Sequence, residues 1–187
     1  MVETLPGAPS NPVPRPLEFE AVYANEFAFV WRNLRRLGVP ETSLRDAAQD
    51  VFLVVHRRLG EFEGRGSLRS WLYSILKRVA GQQRRTERRK HAHDMEDSHD
   101  VADIGSPSPE RDAERREAAR LLRSLLEGLD EDKRDAFVLA ELEGMTVPEI
   151  AQALGANANT IYARIRAARQ LLQAALREHQ ARERRPA

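Results

Sequence analysis

Cysteine is absent from the 187 residues, and aromatic side chains make up only 6% of them. Without cysteine the chain has no disulfide framework, no thiolate zinc site and no cysteine nucleophile. Long apolar runs are also missing, and a membrane-spanning helix needs roughly 20 consecutive apolar residues. The first residues lack the basic start and apolar core of a secretory signal. These absences predict a cytoplasmic protein.

Hydrophobic residues make up 41% of the chain and charged residues 32%. This apolar content is enough to build a core. Many charges with few aromatic residues suit small helical bundles better than a sheet-rich fold. No segment shows the period-two alternation of β-branched residues that is typical of strands. The sequence therefore predicts an all-α protein.

The net charge of +1 hides an uneven distribution of charge along the chain. Residues 65–90 contain nine Lys or Arg against one acid, and residues 160–185 contain seven Arg against two acids. Between these blocks, residues 91–117 contain nine acids against three Arg. Because clustered cations attract polyanions, the two basic blocks predict two separate nucleic-acid-binding surfaces.

Apolar periodicity divides the chain into two helical domains joined by a flexible linker. Five prolines and little periodicity in the first 16 residues predict disorder there. The acidic stretch before the second domain contains a Ser-Pro-Ser-Pro run, which is typical of linkers. The predicted units are a disordered tail (1–17), a first domain (18–90), a flexible linker (91–117), a second domain (118–176) and a basic tail (177–187).

The most specific local pattern is TVPEIAQALGANANTI, which begins at Thr146. Thr146 and Glu149 have capping-box spacing, and Pro148 falls in the first helical turn, where its missing N–H costs nothing. Gly155 can take the left-handed conformation that ends a helix, and Asn157 can cap the next helix. This order of short helix, turn and longer helix predicts a helix-turn-helix whose second helix enters a major groove.

The longer helix of this motif has one apolar side and one outward side. The apolar stripe consists of Ile161, Ile165, Ala168 and Leu172. The outward positions, which suit contacts with base edges and phosphates, are Asn159, Thr160, Tyr162, Ala163, Arg164, Arg166 and Arg169. A helical hairpin with merely solvated arginines is the alternative, and the capping residues and arginine density disfavour it.

Three motifs of the chain resemble the sigma-70 family of RNA polymerase sigma factors. They are DAAQDVF from Asp46, FEGRGSLRSWLY from Phe62 and EGMTVPEIA from Glu143. The first two resemble sigma region two and the third resembles sigma region four, so the resemblance covers about residues 18–90 and 118–176. Nothing resembles region three or a long N-terminal inhibitory region, which indicates the small extracytoplasmic-function branch.

The resemblance implies an alternative sigma factor that binds core RNA polymerase. Such a protein recognises the −10 and −35 elements of promoter DNA, melts the DNA and starts transcription. An anti-sigma factor or another regulator is an expected partner. The sequence shows no phosphate-binding loop and no nucleophile motif, so neither enzymatic activity nor a cofactor is predicted.

The resemblance also assigns roles to three sets of residues. The polymerase face comprises Asp46, Gln49 and Asp50, and the resemblance implies that it docks on the clamp helices of the largest polymerase subunit. Without the resemblance, these residues alone would indicate a solvated helix face. The −10 surface, a base-receiving loop and a duplex-tracking helix, comprises Phe62, Glu63, Gly64, Arg65, Gly66, Ser67, Lys77, Arg78, Gln82, Arg84 and Arg85. The −35 surface comprises the seven outward positions from Asn159 to Arg169. Trp71 and Tyr73 are further candidates for stacking on DNA, although Trp71 lies on an apolar stripe.

Two features depart from the family pattern. Tyr162, Ala163 and Ala167 stand where many relatives carry a basic residue, a serine and another basic residue, so an altered −35 preference is expected. Gly81 lies within the third predicted helix, where glycine costs about 1 kcal/mol relative to alanine.

Two other functions fit parts of the sequence. A free-standing helix-turn-helix regulator would normally dimerise, but no clear dimerisation helix is evident and the first domain would have no role. A metal-dependent nuclease would use His91, His93 and His99 with neighbouring acids, but these residues lie on no rigid element and metal sites need fixed geometry. No metal site is therefore predicted.

Overall fold

The structure is a computed structural model that describes residues 17–64, 66–91 and 109–183. All regular structure in these ranges is helical, so the all-α prediction is confirmed. The α-helices are α1 (Phe19–Arg36), α2 (Glu41–Arg58), α3 (Leu68–His91), α4 (Pro109–Glu127), α5 (Glu131–Phe137), α6 (Val147–Leu154) and α7 (Ala158–Glu183). A 3₁₀ turn, Leu59–Glu61, follows α2, and a π-helical turn, Val138–Leu142, continues α5. None of these helices has the length and apolar character needed to cross a membrane.

The first domain consists of α1, α2 and α3, which pack on one another around a common core. Phe29, Leu44, Val51 and Leu72 are fully buried there. Burying a side chain of this size contributes about 1.5–3 kcal/mol, so these residues hold the three helices together. α1 ends before Gly38, whose φ of 78° lies in the left-handed region that glycine adopts without a Cβ penalty.

The third helix begins where its capping residue predicts. The backbone N–H of Ser70 donates to Ser67 Oγ at 3.2 Å, which satisfies one free donor of the first turn of α3. The helix continues without interruption through Gly81 to His91. α3 therefore carries most of the first basic block on one rigid element.

The second domain consists of α4 to α7. α5 and α6 both pack on α7, and Leu126 of α4 and Leu129 of the turn after it belong to a smaller apolar cluster. α4 begins at Pro109, earlier than the predicted domain start at residue 118. α7 extends to Glu183, past the predicted end at residue 176. The helical periodicity at both ends was too weak to indicate this extra length.

The two domains lie against each other and share one apolar core, which the sequence did not predict. Leu72 and Leu76 of α3 belong to the same buried cluster as Leu139, Ile150 and Ile161 of the second domain. α3 packs along α6, the first helix of the helix-turn-helix. The position of the second domain therefore decides which parts of α3 are accessible.

Candidate polymerase and nucleic-acid interfaces

The predicted helix-turn-helix is present, and each predicted capping residue acts as expected. The backbone N–H of Thr146 donates to Glu149 Oε2 at 2.7 Å, and the two residues form a capping box at the start of α6. The pKa of the Glu149 carboxyl is lowered, chiefly because this backbone hydrogen bond favours its charged form. Gly155 ends α6 with φ 63°, and Asn157 Oδ1 accepts from the N–H of Thr160 at 2.8 Å.

The recognition helix α7 buries its predicted apolar stripe and presents the −35 surface outward. Ile161, Ile165, Ala168 and Leu172 are all buried, as predicted. Thr160 and Arg164 are half-buried, whereas the exposed members of the −35 surface are Asn159, Tyr162, Ala163, Arg166 and Arg169. Tyr162 is the most accessible large apolar residue of the described chain, with 61% of its surface exposed. The structure therefore leaves most of this surface open to a groove.

The three arginines of the −35 surface differ in their ion pairs. Arg164 pairs with Asp132 of α5. Arg169 Nε donates to Glu141 Oε1 at 3.0 Å. Arg166 is exposed and makes no ion pair within the described ranges. Two of the arginines are thus held by acids of their own domain, and the third extends into solvent.

The loop of the −10 surface borders a cleft of about 230 Å³. Phe62 and Trp71 pack against each other there, with ring centroids 5.4 Å apart. The cleft also contains Gln152, which comes from α6 of the second domain. A side chain added at Gly66 would collide with the Gln152 amide, so the second domain touches the loop itself. Arg65, also predicted for this loop, lies outside the described residues.

The helical part of the −10 surface is divided between bound and exposed side chains. Lys77 Nζ donates to Asp135 Oδ2 at 2.9 Å, and Arg84 Nη2 lies 3.5 Å from Glu131 Oε1. Both acids belong to α5, in the second domain. The exposed members of the helical part are Arg78, Gln82 and Arg85. Some of the predicted DNA-binding cations are therefore neutralised by the neighbouring domain.

Tyr73, a sequence-based candidate for stacking on DNA, is buried with only 1% of its surface exposed. Burial raises the pKa of its hydroxyl well above the ordinary value, and the nearby Asp135 raises it further. Burial also raises the pKa of the Asp135 carboxyl, against the opposing effect of Lys77. The expectation that Tyr73 stacks on DNA is wrong in this structure. Its ring lies in the apolar core that α3 shares with the second domain.

The polymerase face lies on the solvent side of α2. Asp46, Gln49 and Asp50 are all exposed. Asp50 Oδ2 accepts a hydrogen bond from Gln83 Nε2 of α3 at 3.2 Å. Leu53 lies one turn further along α2 and is 44% exposed. The sequence-based prediction of this face omitted Leu53, although its spacing of four residues from Gln49 and three from Asp50 places it on the same side of the helix.

An exposed aromatic cluster adjoins α2 on the side of α1. Tyr23 and Phe27 belong to the apolar pattern of α1, yet they are 44% and 36% exposed. Their rings lie 4.6 Å and 6.1 Å from the ring of Phe52 on α2. Periodicity alone could not separate these rings from the core positions on the same helix. The predicted His/Asp-rich stretch, by contrast, lies outside the described residues apart from His91.

Comparison with known families matches both domains. The family model described as Sigma-70 region 2 matches residues 23–90, and the one described as Sigma-70, region 4 matches residues 119–172. The first match contains the polymerase face and the −10 surface. The second contains the helix-turn-helix and the −35 surface.

Individual relatives match across most of the chain. The RNA polymerase sigma factor NccH of Alcaligenes xylosoxydans xylosoxydans is 33% identical over 78% of this chain and 80% of its own length. The RNA polymerase sigma factor CnrH of Cupriavidus metallidurans is 34% identical over 76% of this chain and 78% of its own. A solved structure of CnrH in complex with the cytosolic domain of CnrY covers 86% of this chain and 88% of that one, with a TM-score of 0.63 and 28% identity.

Proposed function

The chain belongs to the sigma-70 family of RNA polymerase sigma factors, and on that premise we propose how its two domains divide the work of starting transcription. It is an alternative sigma factor of the extracytoplasmic-function branch, which joins core RNA polymerase and directs initiation at promoters. The first domain binds the polymerase and the −10 element. The second domain binds the −35 element.

The observation that carries this division is the recognition helix. α7 buries its apolar stripe on the second domain and leaves arginines and Tyr162 exposed along the opposite side. A helix in this setting fits a major groove, which is about 12 Å wide. Its arginines reach base edges and phosphates, so this domain supplies sequence recognition upstream.

The first domain contributes the two other contacts. Asp46, Gln49 and Asp50 form an exposed, acidic and polar face that suits a basic partner surface on the polymerase. Leu53 extends this face with an exposed apolar side chain, whose burial in an interface would be favourable. The loop 62–67 and α3 receive unstacked bases and the neighbouring backbone of the −10 element.

We propose a cytoplasmic location, no catalytic activity of its own and regulation by a protein of the anti-sigma kind. The relative CnrH has been solved with the cytosolic domain of CnrY bound to it, which supports both the location and the regulator. Recognition of promoter DNA requires binding energy and deformation of the DNA, and it does not require breaking a covalent bond. The polymerase supplies the catalysis.

Run-off transcription tests this function directly. The full-length protein is mixed with core RNA polymerase and a library of random promoter templates, and transcripts are sequenced. We expect a selected family of templates with two conserved blocks, one for each DNA surface. Reactions without the protein and reactions with the Asp50→Arg variant are the controls.

A free-standing helix-turn-helix regulator is the competing function. Such a protein would bind one DNA block without polymerase and would give no polymerase-dependent transcripts. Co-purification with core polymerase and transcription from the library would exclude it, whereas DNA binding with neither of these would overturn the sigma-factor proposal.

A further inference from the structure

Two acids border the −35 surface, although the sequence-based prediction of this surface did not include them. Asp132, in the first turn of α5, pairs with Arg164. Glu141, in the π-helical turn that continues α5, accepts a hydrogen bond at Oε1 from Arg169 Nε at 3.0 Å. Arg166 has no acidic partner among the residues that the structure describes. Acids from α5 and its continuation therefore hold two of the three arginines that α7 presents to DNA.

The π-helical turn directs Glu141 toward α7. Nine residues separate Glu141 from Asp132, and a straight α-helix, at about 100° per residue, would place the two side chains on opposite sides. In the turn, the backbone N–H of Glu143 donates to the carbonyl oxygen of Val138 at 3.1 Å, a bond that spans five residues. This wider turn changes the direction of the side chains in it, and both acids contact α7. Because such turns are rare and frequent at functional sites, the placement of Glu141 points to a role beyond packing.

The two ion pairs change the charge of the −35 surface more than they change stability. Arg169 and Asp132 keep 57% and 56% of their side-chain surface exposed, and exposed pairs contribute little to the free energy of folding. The two acids cancel the charge of two of the three arginines on this surface. A DNA phosphate that approaches Arg164 or Arg169 therefore meets a carboxylate that already binds the same guanidinium group.

We propose that Asp132 and Glu141 are positioning residues that set the sequence specificity of the −35 surface. They orient Arg164 and Arg169 toward the backbone of correctly seated DNA, and they compete with the phosphates of DNA in any other register. Specificity is a difference between affinities, so it increases when binding to wrong sequences is weakened. The inference rests on the proposed role of the −35 surface and adds the residues that limit its non-specific binding.

The two acids affect the two kinds of DNA unequally. DNA without the −35 sequence is held by phosphate contacts in no fixed register, and it loses affinity wherever a carboxylate competes for an arginine. On the −35 sequence, base contacts fix the register, and the phosphate contacts then need Arg164 and Arg169 in one orientation. Because the acids already hold both arginines, less side-chain freedom is lost on binding, which offsets the competition. Removal of the acids should therefore strengthen non-specific binding much more than specific binding.

The test uses holoenzyme assembled from core RNA polymerase and the full-length protein. Two fluorescent promoter fragments carry the same downstream block, selected by the wild type in run-off transcription, and differ only in an intact or a shuffled upstream block. The acid variant is Asp132→Asn/Glu141→Gln, which keeps the shape of both side chains. The control variant, Glu127→Gln/Glu178→Gln, removes the same charge from two exposed positions of the second domain, on α4 and α7.

We expect the acid variant to bind the shuffled fragment about threefold or more tightly than the wild type, because two arginines become available to any phosphate. Its affinity for the intact fragment should change by less than about twofold, so the preference for the intact block falls. The logarithmic salt dependence on the shuffled fragment should steepen by about 1 to 2, since each freed arginine releases a further counterion. The control variant should show none of these changes.

A second comparison asks whether the acids act through the arginines. In an Arg164→Ala/Arg169→Ala background, the acid substitutions should change the preference for the intact block by less than about twofold, because the coupled partners are gone. Circular dichroism checks that each variant keeps its helix content.

An equal gain on both fragments would overturn the inference, because the acids would then screen charge without affecting specificity. Unchanged affinities, a loss on both fragments or a lower preference that persists without the two arginines would overturn it as well. The role of the −35 surface is judged on the wild type alone and fails if the wild type binds both fragments equally. The sigma-factor function fails only if the wild type gives no polymerase-dependent transcripts.

Discussion

The −10 and −35 surfaces carry similar basic sequences, yet the tertiary structure treats them differently. The −10 surface lies against α5 and α6 of the other domain, and Lys77 is bonded there. The −35 surface lies on the open side of α7, where Arg166 is exposed and Arg164 and Arg169 pair only with acids of the same domain. A basic sequence therefore does not by itself make a surface accessible to DNA.

The energetic difference between the two surfaces is large. Exposed ion pairs such as those on α7 are worth about 0–1 kcal/mol each, so DNA displaces them at little cost. Freeing the −10 surface means separating two domains that share a buried apolar core, which costs far more. In this structure the −35 surface is thus mostly exposed, whereas the −10 surface is partly covered by the second domain.

The largest expected effect concerns the polymerase face, which shares a domain with the covered surface but is itself open. Asp50→Arg combined with Gln49→Ala should weaken association with core polymerase by on the order of several kcal/mol, because charge reversal at a complementary interface is repulsive. Both residues are exposed, so the fold should be retained. Titration with labelled polymerase measures the affinity, and Glu20→Arg on the exposed side of α1 is the charge-matched control. Equal affinity in the variant and wild type would remove these residues from the interface.

The −35 surface should show two kinds of arginine. Arg166 extends freely into solvent, and its loss should relax preference at one or two −35 positions by about 1–3 kcal/mol, the discrimination of a bidentate arginine–guanine pair. Arg164 and Arg169 are held by Asp132 and Glu141 and should mainly contact phosphates, so their alanine variants should weaken all templates alike.

A promoter library selected by each of these three variants measures the difference. The motif selected by Arg164→Ala and Arg169→Ala should match that of the wild type, with lower output. An unchanged motif for Arg166→Ala would show that this arginine does not read bases. Preference for thymine beside Tyr162 is expected in all cases, because an apolar ring suits the thymine methyl group.

Asp135 of α5 and Asp130, the N-cap residue of that helix, should affect stability in opposite directions as the pH changes. Burial raises the pKa of Asp135, so its contribution to stability is complete below its unfolded pKa of about 3.9 and is lost as the pH rises through the raised value. Asp135→Asn should therefore raise the melting temperature at pH 7, and the gain should vanish in acid.

Asp130 provides the matched comparison. Its pKa is lowered, first by the side-chain hydrogen bond from Lys133, so its contribution is present at neutral pH and lost as the pH falls through the lowered value. Asp130→Asn should lower the melting temperature at pH 7 and converge with the wild type in acid. Thermal melts from pH 3 to 7 of both variants check the signs, and a loss of stability in Asp135→Asn at neutral pH would show that the Lys77 bond outweighs burial.

The smallest expected effect lies within α3 itself. A Cβ at Gly81 would meet only Arg85 Nη1, at the ordinary contact distance of 3.6 Å. Gly81→Ala should therefore stabilise the protein by about 0.5–1 kcal/mol, through lower backbone entropy in the unfolded chain. A thermal melt should show an increase of about 2–4 °C per kcal/mol for a chain of this size. Gly38→Ala is the contrasting control, since its φ of 78° makes a side chain strained and the melting temperature should fall.

Local chemistry was predictable from the sequence wherever neighbouring residues decide it. The capping roles of Ser67, Thr146 and Asn157 depend on hydrogen bonds that span three residues, and all three are present. The left-handed turn at Gly155 and the buried stripe of α7 follow from the same short-range rules. The assignment of polymerase and promoter contacts to particular side chains remains a prediction.

The sequence by itself determined the all-α fold, the helix-turn-helix and the family, because helical periodicity, caps and motifs are encoded within a few turns of chain. Only the tertiary structure decided that Tyr73 is buried, that Leu53 and Phe27 are exposed and that α5 covers Lys77. These outcomes depend on apolar contacts and ion pairs between residues as far apart as Arg32 and Glu143. Periodicity shows that a helix has an apolar side, but it does not show which other helix will cover that side.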